Sequence, residues 1–73
     1  MIKRDFHGWL LEDALIEIDV IVGDIRQQNI VEDAEFITGR GVIREAILKV
    51  LAEYNLHPNL EWGNDGVIFV TLQ

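Results

Sequence analysis

The feature that most constrains this chain is a change of period: a helical repeat of apolar residues set between two short extended stretches. From Leu11 to about Gln28, the residues Leu11, Ala14, Leu15, Ile18, Val22 and Ile25 recur at spacings of three and four, the signature of an amphipathic helix. Met1 to Phe6 before it and Ala34 to Thr38 after it read as strands. Residues i and i+2 of a strand share a face, so Ile2 and Phe6 turn one way while Lys3, Asp5 and His7 turn the other. Asn29 to Asp33 reads as a polar connection around Ile30 and Val31. A strand, a crossover helix and a second strand close into a right-handed parallel unit. The turns that follow both strands, His7-Gly8 and Thr38-Gly39-Arg40-Gly41, then lie on one edge of the sheet. That carboxyl edge is where α/β folds place ligands.

A second helix is predicted from about Val42 to Tyr54, with Ile43, Ala46, Ile47, Val50, Leu51 and Tyr54 as its buried stripe, ended by Asn55 and Pro58. Leu60 to Trp62 and Gly66 to Leu72 read as strands joined by a Gly63-Asn64-Asp65 turn. The continuous apolar run Val67 to Val70 suits an interior strand, and Trp62 and Tyr54 are assigned to the core. The element order is β-α-β-α-β-β: an α/β two-layer sandwich with a mixed four-stranded sheet and two helices, forming one domain over residues 1–73. Ile16 and Val20 lie one turn apart off the main stripe of the first helix. They belong either to a wide buried face or to a contact with a protein partner or a second copy of the chain.

With 73 residues and no cysteine, stability must come from burial, and a 49% hydrophobic composition supplies one compact core. No apolar run approaches the roughly 20 residues of a membrane span, and no leader precedes the first strand, so a cytoplasmic protein free of membrane is expected. A net charge of -7 opposes affinity for a phosphate backbone, which depends on Lys and Arg releasing counterions. Yet four of the six basic residues, Lys3, Arg4, Arg40 and Arg44, flank the two glycine-containing turns. A local basic site on an acidic body is consistent with the sequence.

Asp5 and His7 share a strand face beside Gly8, as an acid and base acting together would, or as a structural turn would. Thr38-Gly39-Arg40-Gly41 opens the second helix, where unpaired N–H groups and the positive dipole end attract anions. Arg40 and Arg44 oppose that dipole, and a bound phosphate would account for them. Trp9 either offers a ring to an unpaired base or packs against the first helix.

Asp-Phe-His-Gly before an amphipathic helix, Ile-Thr-Gly-Arg-Gly opening a second one, and Gly-Asn-Asp-Gly-Val before the last strand together resemble the small MutS-related (Smr) domain, across nearly the whole chain. Phe6 and Trp9 stand where that family usually has leucine, and Thr38 stands where many members have histidine. The resemblance implies a fold similar to the C-terminal domain of translation initiation factor 3, and nuclease activity on RNA or nicking of DNA. It ties Asp5 and His7 to cleavage, and Thr38, Gly39, Arg40 and Gly41 to substrate binding. Gly8, Lys3, Arg4 and Arg44 complete the expected binding set.

On RNA the residues suit a metal-independent transesterification with His7 as general base and no cofactor. On DNA, which has no 2'-hydroxyl, Asp5 would instead help hold a divalent metal. Nucleic acid, RNA before DNA, is the expected partner. Two other classes stand beside the nuclease: a non-cleaving nucleic-acid binding module, and a protein-binding module using Ile16 and Val20. The general acid is not identified; Tyr54 is unplaced, and His57-Pro58 reads as a turn.

Overall fold

In a computed structural model that describes all 73 residues, the Leu11–Gln28 repeat forms one continuous helix, α1. Ala14, Ile18, Ile21, Val22 and Ile25 are its buried face, while Glu12 and Asp13 in the first turn and Arg26 in the last complement its dipole. Asn29, at φ 55°, ends α1: its N–H reaches Arg26 O and the next amide reaches Ile25 O, satisfying carbonyls the helix leaves open. Before α1 runs strand β1 (Ile2–Asp5), and after it β2 (Glu32–Ile37) pairs with β1 in parallel, Ile2 opposite Ala34 and Asp5 opposite Ile37. Helix α2 (Val42–Glu53) follows, then β3 (Asn59–Glu61) and β4 (Asn64–Leu72). Strand order is β1-β2-β4-β3, with β4 antiparallel to both neighbours, so the sheet is mixed and β4 is interior.

One face of the sheet and both helices share a single core, in which Phe6, Phe36, Ile18, Ile47, Leu51, Ile68 and Leu72 are fully buried. Each such side chain contributes about 1.5–3 kcal/mol on leaving water, which is how so small a chain holds a fold without disulfides. The opposite face is mixed: Ile37, Val67 and Phe69 lie on it beside polar pairs, with Thr71 Oγ1 donating to Asp33 Oδ1 at 2.8 Å and Lys3 Nζ 3.5 Å from Glu35. Arg26 ties the far ends of the helices together, donating to Tyr54 O at 2.7 Å and to Gln73 O at 3.2 Å. No helix is long and apolar enough to cross a membrane.

Three expectations are corrected. Strand β2 begins at Glu32, not Ala34, because Glu32 and Asp33 point away from the core: Glu32 pairs with the Met1 amino group at 2.8 Å, and Asp33 with Thr71. The hairpin turn is Trp62-Gly63, with Gly63 at φ 78°, so Asn64 and Asp65 already belong to β4. Trp62 is not core but 99% exposed, since β3 is a three-residue edge strand and the turn beyond it has no layer above it. Tyr54 does pack on the core and donates to Asp19 Oδ1 at 2.7 Å, linking α2 to α1. Ile16 and Val20 are 62% and 51% exposed, so a wide buried face does not explain them.

Candidate functional site

Strands β1 and β2 end side by side, and the Phe6 N–H donating to Ile37 O at 2.7 Å carries the pairing one residue further. Phe6 is fully buried, anchoring the turn that follows. Asp5 and His7, on the other face, are exposed. Asp5 Oδ1 accepts the His7 backbone N–H at 2.9 Å, so the carboxylate fixes the main chain that carries the imidazole rather than gripping the ring. Gly8 takes φ 83°, a conformation that disfavours any side chain, and the chain turns into Trp9. The Trp9 ring stands edge-on to Phe6 at 5.0 Å and stays 40% exposed, so it packs on the first motif as well as facing solvent.

The second turn sits directly beside the first. A Cβ at Gly39 would stand 3.9 Å from His7 Cδ2, which places the imidazole over the Thr38–Gly41 turn as the parallel unit requires. Within that turn the roles divide. Thr38 is buried; its N–H and that of Gly39 both donate to Gly66 O, at 2.8 and 3.1 Å, and its hydroxyl donates to Gly39 O at 2.9 Å. Thr38 and the Gly39 amide therefore latch the turn to β4 and are not free to hold a phosphate. The two backbones run close here: a Cβ at Gly66 would lie 3.4 Å from Gly39 Cα, in van der Waals contact.

The amides without backbone partners are those of the first turn of α2, because the first bond within that helix is Glu45 N–H to Gly41 O at 3.2 Å and Gly41 has no side chain to cap with. The anion-attracting end is thus Gly41 to Arg44: of the glycines in the Thr38–Gly41 turn, Gly41 belongs to it and Gly39, bonded to Gly66 O, does not.

Both arginines of this motif are engaged by Asp65. Arg40 Nε contacts Asp65 Oδ1, while Arg44 Nη1 reaches Asp65 O at 3.2 Å and Oδ2 at 3.6 Å. Arg44 Nε also pairs with Glu45 at 2.9 Å. These partners account for cations at the amino end of a helix, so a bound phosphate is not needed to explain them. Arg40 nonetheless remains 71% exposed. In the sequence Asp65 reads as a turn residue within the Gly-Asn-Asp-Gly-Val motif, and nothing there marks its contact with the two arginines.

Lys3 and Arg4 lie on the exposed β1 edge strand two residues and one residue before Asp5, with Arg4 Nη1 donating to Lys3 O at 2.9 Å. The general-acid candidates are elsewhere. Tyr54 caps the opposite end of α2, roughly 18 Å away at 1.5 Å per residue. His57 precedes β3, whose first residue pairs with Phe69, well along β4 from this edge. No three histidine or carboxylate side chains converge as a metal cluster. Beyond the arginines an open cleft of about 320 Å³ is lined by Arg40, Glu61, Gly63, Asn64 and Asp65.

No protein-family model and no curated protein sequence matches the chain. The crystal structure of the Smr domain of Thermus thermophilus MutS2 is similar over 100% of this chain and 99% of that one, with a TM-score of 0.74 at 22% identity. The likeness is one of fold: the chain has the fold of that domain, with the two-layer β-α-β-α-β-β architecture expected from the sequence.

Proposed function

We propose that this Smr-like chain is a nucleic-acid endonuclease that cleaves RNA by metal-independent transesterification. The observation that carries the reading is the His7 imidazole beside the Thr38–Gly41 turn, next to the open amides of α2 and the exposed Arg40 guanidinium. That arrangement sets a base next to a seat for a phosphate. In the step, the ribose 2'-oxygen attacks the adjacent phosphorus as neutral His7 takes the hydroxyl proton. Charge gathering on the phosphate oxygens is met by Arg40 and by the Gly41 to Arg44 amides. The bond to the 5'-oxygen breaks, that oxygen takes a proton from water, and the products are a cyclic phosphate and a free 5'-hydroxyl. Asp5 keeps His7 in place through the main chain. Gly8 gives the strand room to turn, while Lys3, Arg4 and Arg44 draw in the flanking backbone.

The test is to incubate the purified protein with end-labelled single-stranded RNA in EDTA, beside His7→Ala, and to analyse the product ends. Cyclic-phosphate ends formed only by the unmodified chain support the reading. Cleavage that appears only when magnesium or manganese is restored would replace it with the metal-dependent route, in which Asp5 holds the ion and DNA is the better substrate.

A second reading, a binding module that does not cleave, is favoured by one observation: the general-acid candidates Tyr54 and His57 lie away from His7, and Asp5 beside it bonds the main chain. In that case His7→Ala changes neither cleavage nor affinity. A protein-binding role would use the exposed Ile16 and Val20, with a second copy of the chain as one partner. Such an apolar contact resists salt, whereas phosphate binding weakens steeply with it.

A further inference from the structure

Trp62 is unaccounted for by the fold. It is 99% exposed on the β3–β4 turn, contributes nothing to the core, and stands on the same sheet edge as His7 and the Thr38–Gly41 turn. A tryptophan left wholly in water forgoes a large burial gain, and such rings recur where a partner covers them. The residues on either side, Glu61 and Gly63, line the open cleft together with Arg40, Asn64 and Asp65. No apolar residue lines that cleft, so its chemistry suits a flat ring with a polar edge and a nearby negative charge rather than an apolar anchor from a protein.

We propose that Trp62 is a stacking platform for one unpaired nucleobase, whose polar edge enters the cleft while an adjoining phosphate lies on Arg40. The proposal rests on the nucleic-acid reading above and adds to it the class of strand: single-stranded. Within a duplex the base faces are occupied by their neighbours, and an exposed ring on a turn gains a face only from a base that has left the stack. Arg40 joins the two halves, since it lines the cleft and also flanks the amino end of α2. Asn64 Oδ1 accepts the Gly66 N–H at 3.2 Å, leaving the donor end of its amide for a base acceptor, and the Glu61 carboxylate can accept from a base amino or imino group.

The experiment measures binding of a labelled ten-nucleotide 2'-O-methyl RNA, which has no free 2'-hydroxyl to attack, as a single strand and as a duplex. The proteins are the unmodified chain, Trp62→Ala and Trp62→Phe. Thermal melting should be unchanged in both variants, because the side chain is outside the core. The expected result is a loss of roughly 5- to 150-fold in single-strand affinity for Trp62→Ala, the range for removing one base–aromatic stack, with most affinity kept by Trp62→Phe. Duplex binding should not change. If the unmodified chain binds the single strand and Trp62→Ala binds it equally well, the stacking proposal is overturned and the nucleic-acid reading survives. An equal loss on single strand and duplex would also overturn it. If the unmodified chain binds neither form, the nucleic-acid reading itself falls. A sedimentation coefficient that changes in Trp62→Ala would then assign the ring to a contact between copies.

Discussion

At the scale of single residues, the position of Asp5 separates two ways a carboxylate can serve a histidine. A carboxylate bonded to an imidazole acts through its charge, whereas Asp5 Oδ1 accepts a backbone N–H, a task that the amide oxygen of asparagine performs equally well. Asp5→Asn should therefore keep His7 placed and cleave RNA within about threefold of the unmodified rate, while Asp5→Ala loses the acceptor and falls tenfold or more. His7→Ala should cost roughly a hundred- to ten-thousandfold, the range for a general base. Single-turnover rates on one RNA check all three, and Asp5→Asn as inactive as Asp5→Ala would mean that the charge matters after all. The shared face of Asp5 and His7 was legible in the sequence, because strand period alone sets it. Their hydrogen bond was not, since a short carboxylate reaches the amide two residues on as readily as a ring. Thr38 shows the same limit: whether its hydroxyl points inward is decided by Gly66, 28 residues away.

At the scale of elements, two glycines that look alike in the sequence should respond oppositely to alanine. Gly23 lies inside α1, and a Cβ added there would meet nothing within 4 Å, so Gly23→Ala should stabilise the helix by about 0.5–1 kcal/mol. Gly39 sits at φ 71° in the turn before α2, and Gly39→Ala should cost about 1–2 kcal/mol. For a domain of this size each kcal/mol moves Tm by about 4–8 °C, so thermal melts should shift up for the first and down for the second. The helices also communicate through Tyr54, whose hydroxyl donates to Asp19. That hydrogen bond, then burial and the negative charge of Asp19, hold the Tyr54 pKa above its ordinary value of about 10, while Arg26 pulls the other way. Because the folded value is the higher one, the contribution is complete below pH 10 and disappears as pH rises through the folded pKa. Chemical denaturation from pH 8 to 11 should therefore show the unmodified chain losing stability at the alkaline end, with Tyr54→Phe weaker at pH 8 but flatter. Both helices were readable because a 3.6-residue period persists over several turns. Strand β2 was read two residues short because the carboxylates of Glu32 and Asp33 are indistinguishable from a loop until Thr71 and the Met1 amino group are seen beside them. Trp62 was misplaced because three residues of β3 are too few to carry a period.

At the scale of the whole molecule, the proposed function requires a chain of net charge -7 to bind a polyanion. Several of its acids are too far away to decide it. Glu32 and Asp33 begin β2 at the end of the sheet opposite the site, roughly 15 Å from the carboxyl edge at 3.3 Å per residue. Asp24 lies roughly 20 Å along α1 from its first residue. Both separations exceed the Debye length of about 8 Å at physiological salt, so these charges are largely screened from the site. Asp65 is different, because it contacts Arg40 and Arg44 directly and a phosphate would have to share or displace it. These are exposed or half-exposed pairs, worth up to about 1 kcal/mol each, so removing the carboxylate should move Tm little. Asp65→Asn should instead tighten binding of single-stranded RNA several-fold at low salt. It should also steepen the dependence of log affinity on log salt by about 0.7 for each arginine turned over to phosphate. Affinity measured across a salt series distinguishes this from the opposite case, in which Asp65 holds the two guanidinium groups in the geometry that phosphate needs. Binding that weakens at every salt concentration, with the slope unchanged, would make Asp65 a positioning residue rather than a competitor for the seat.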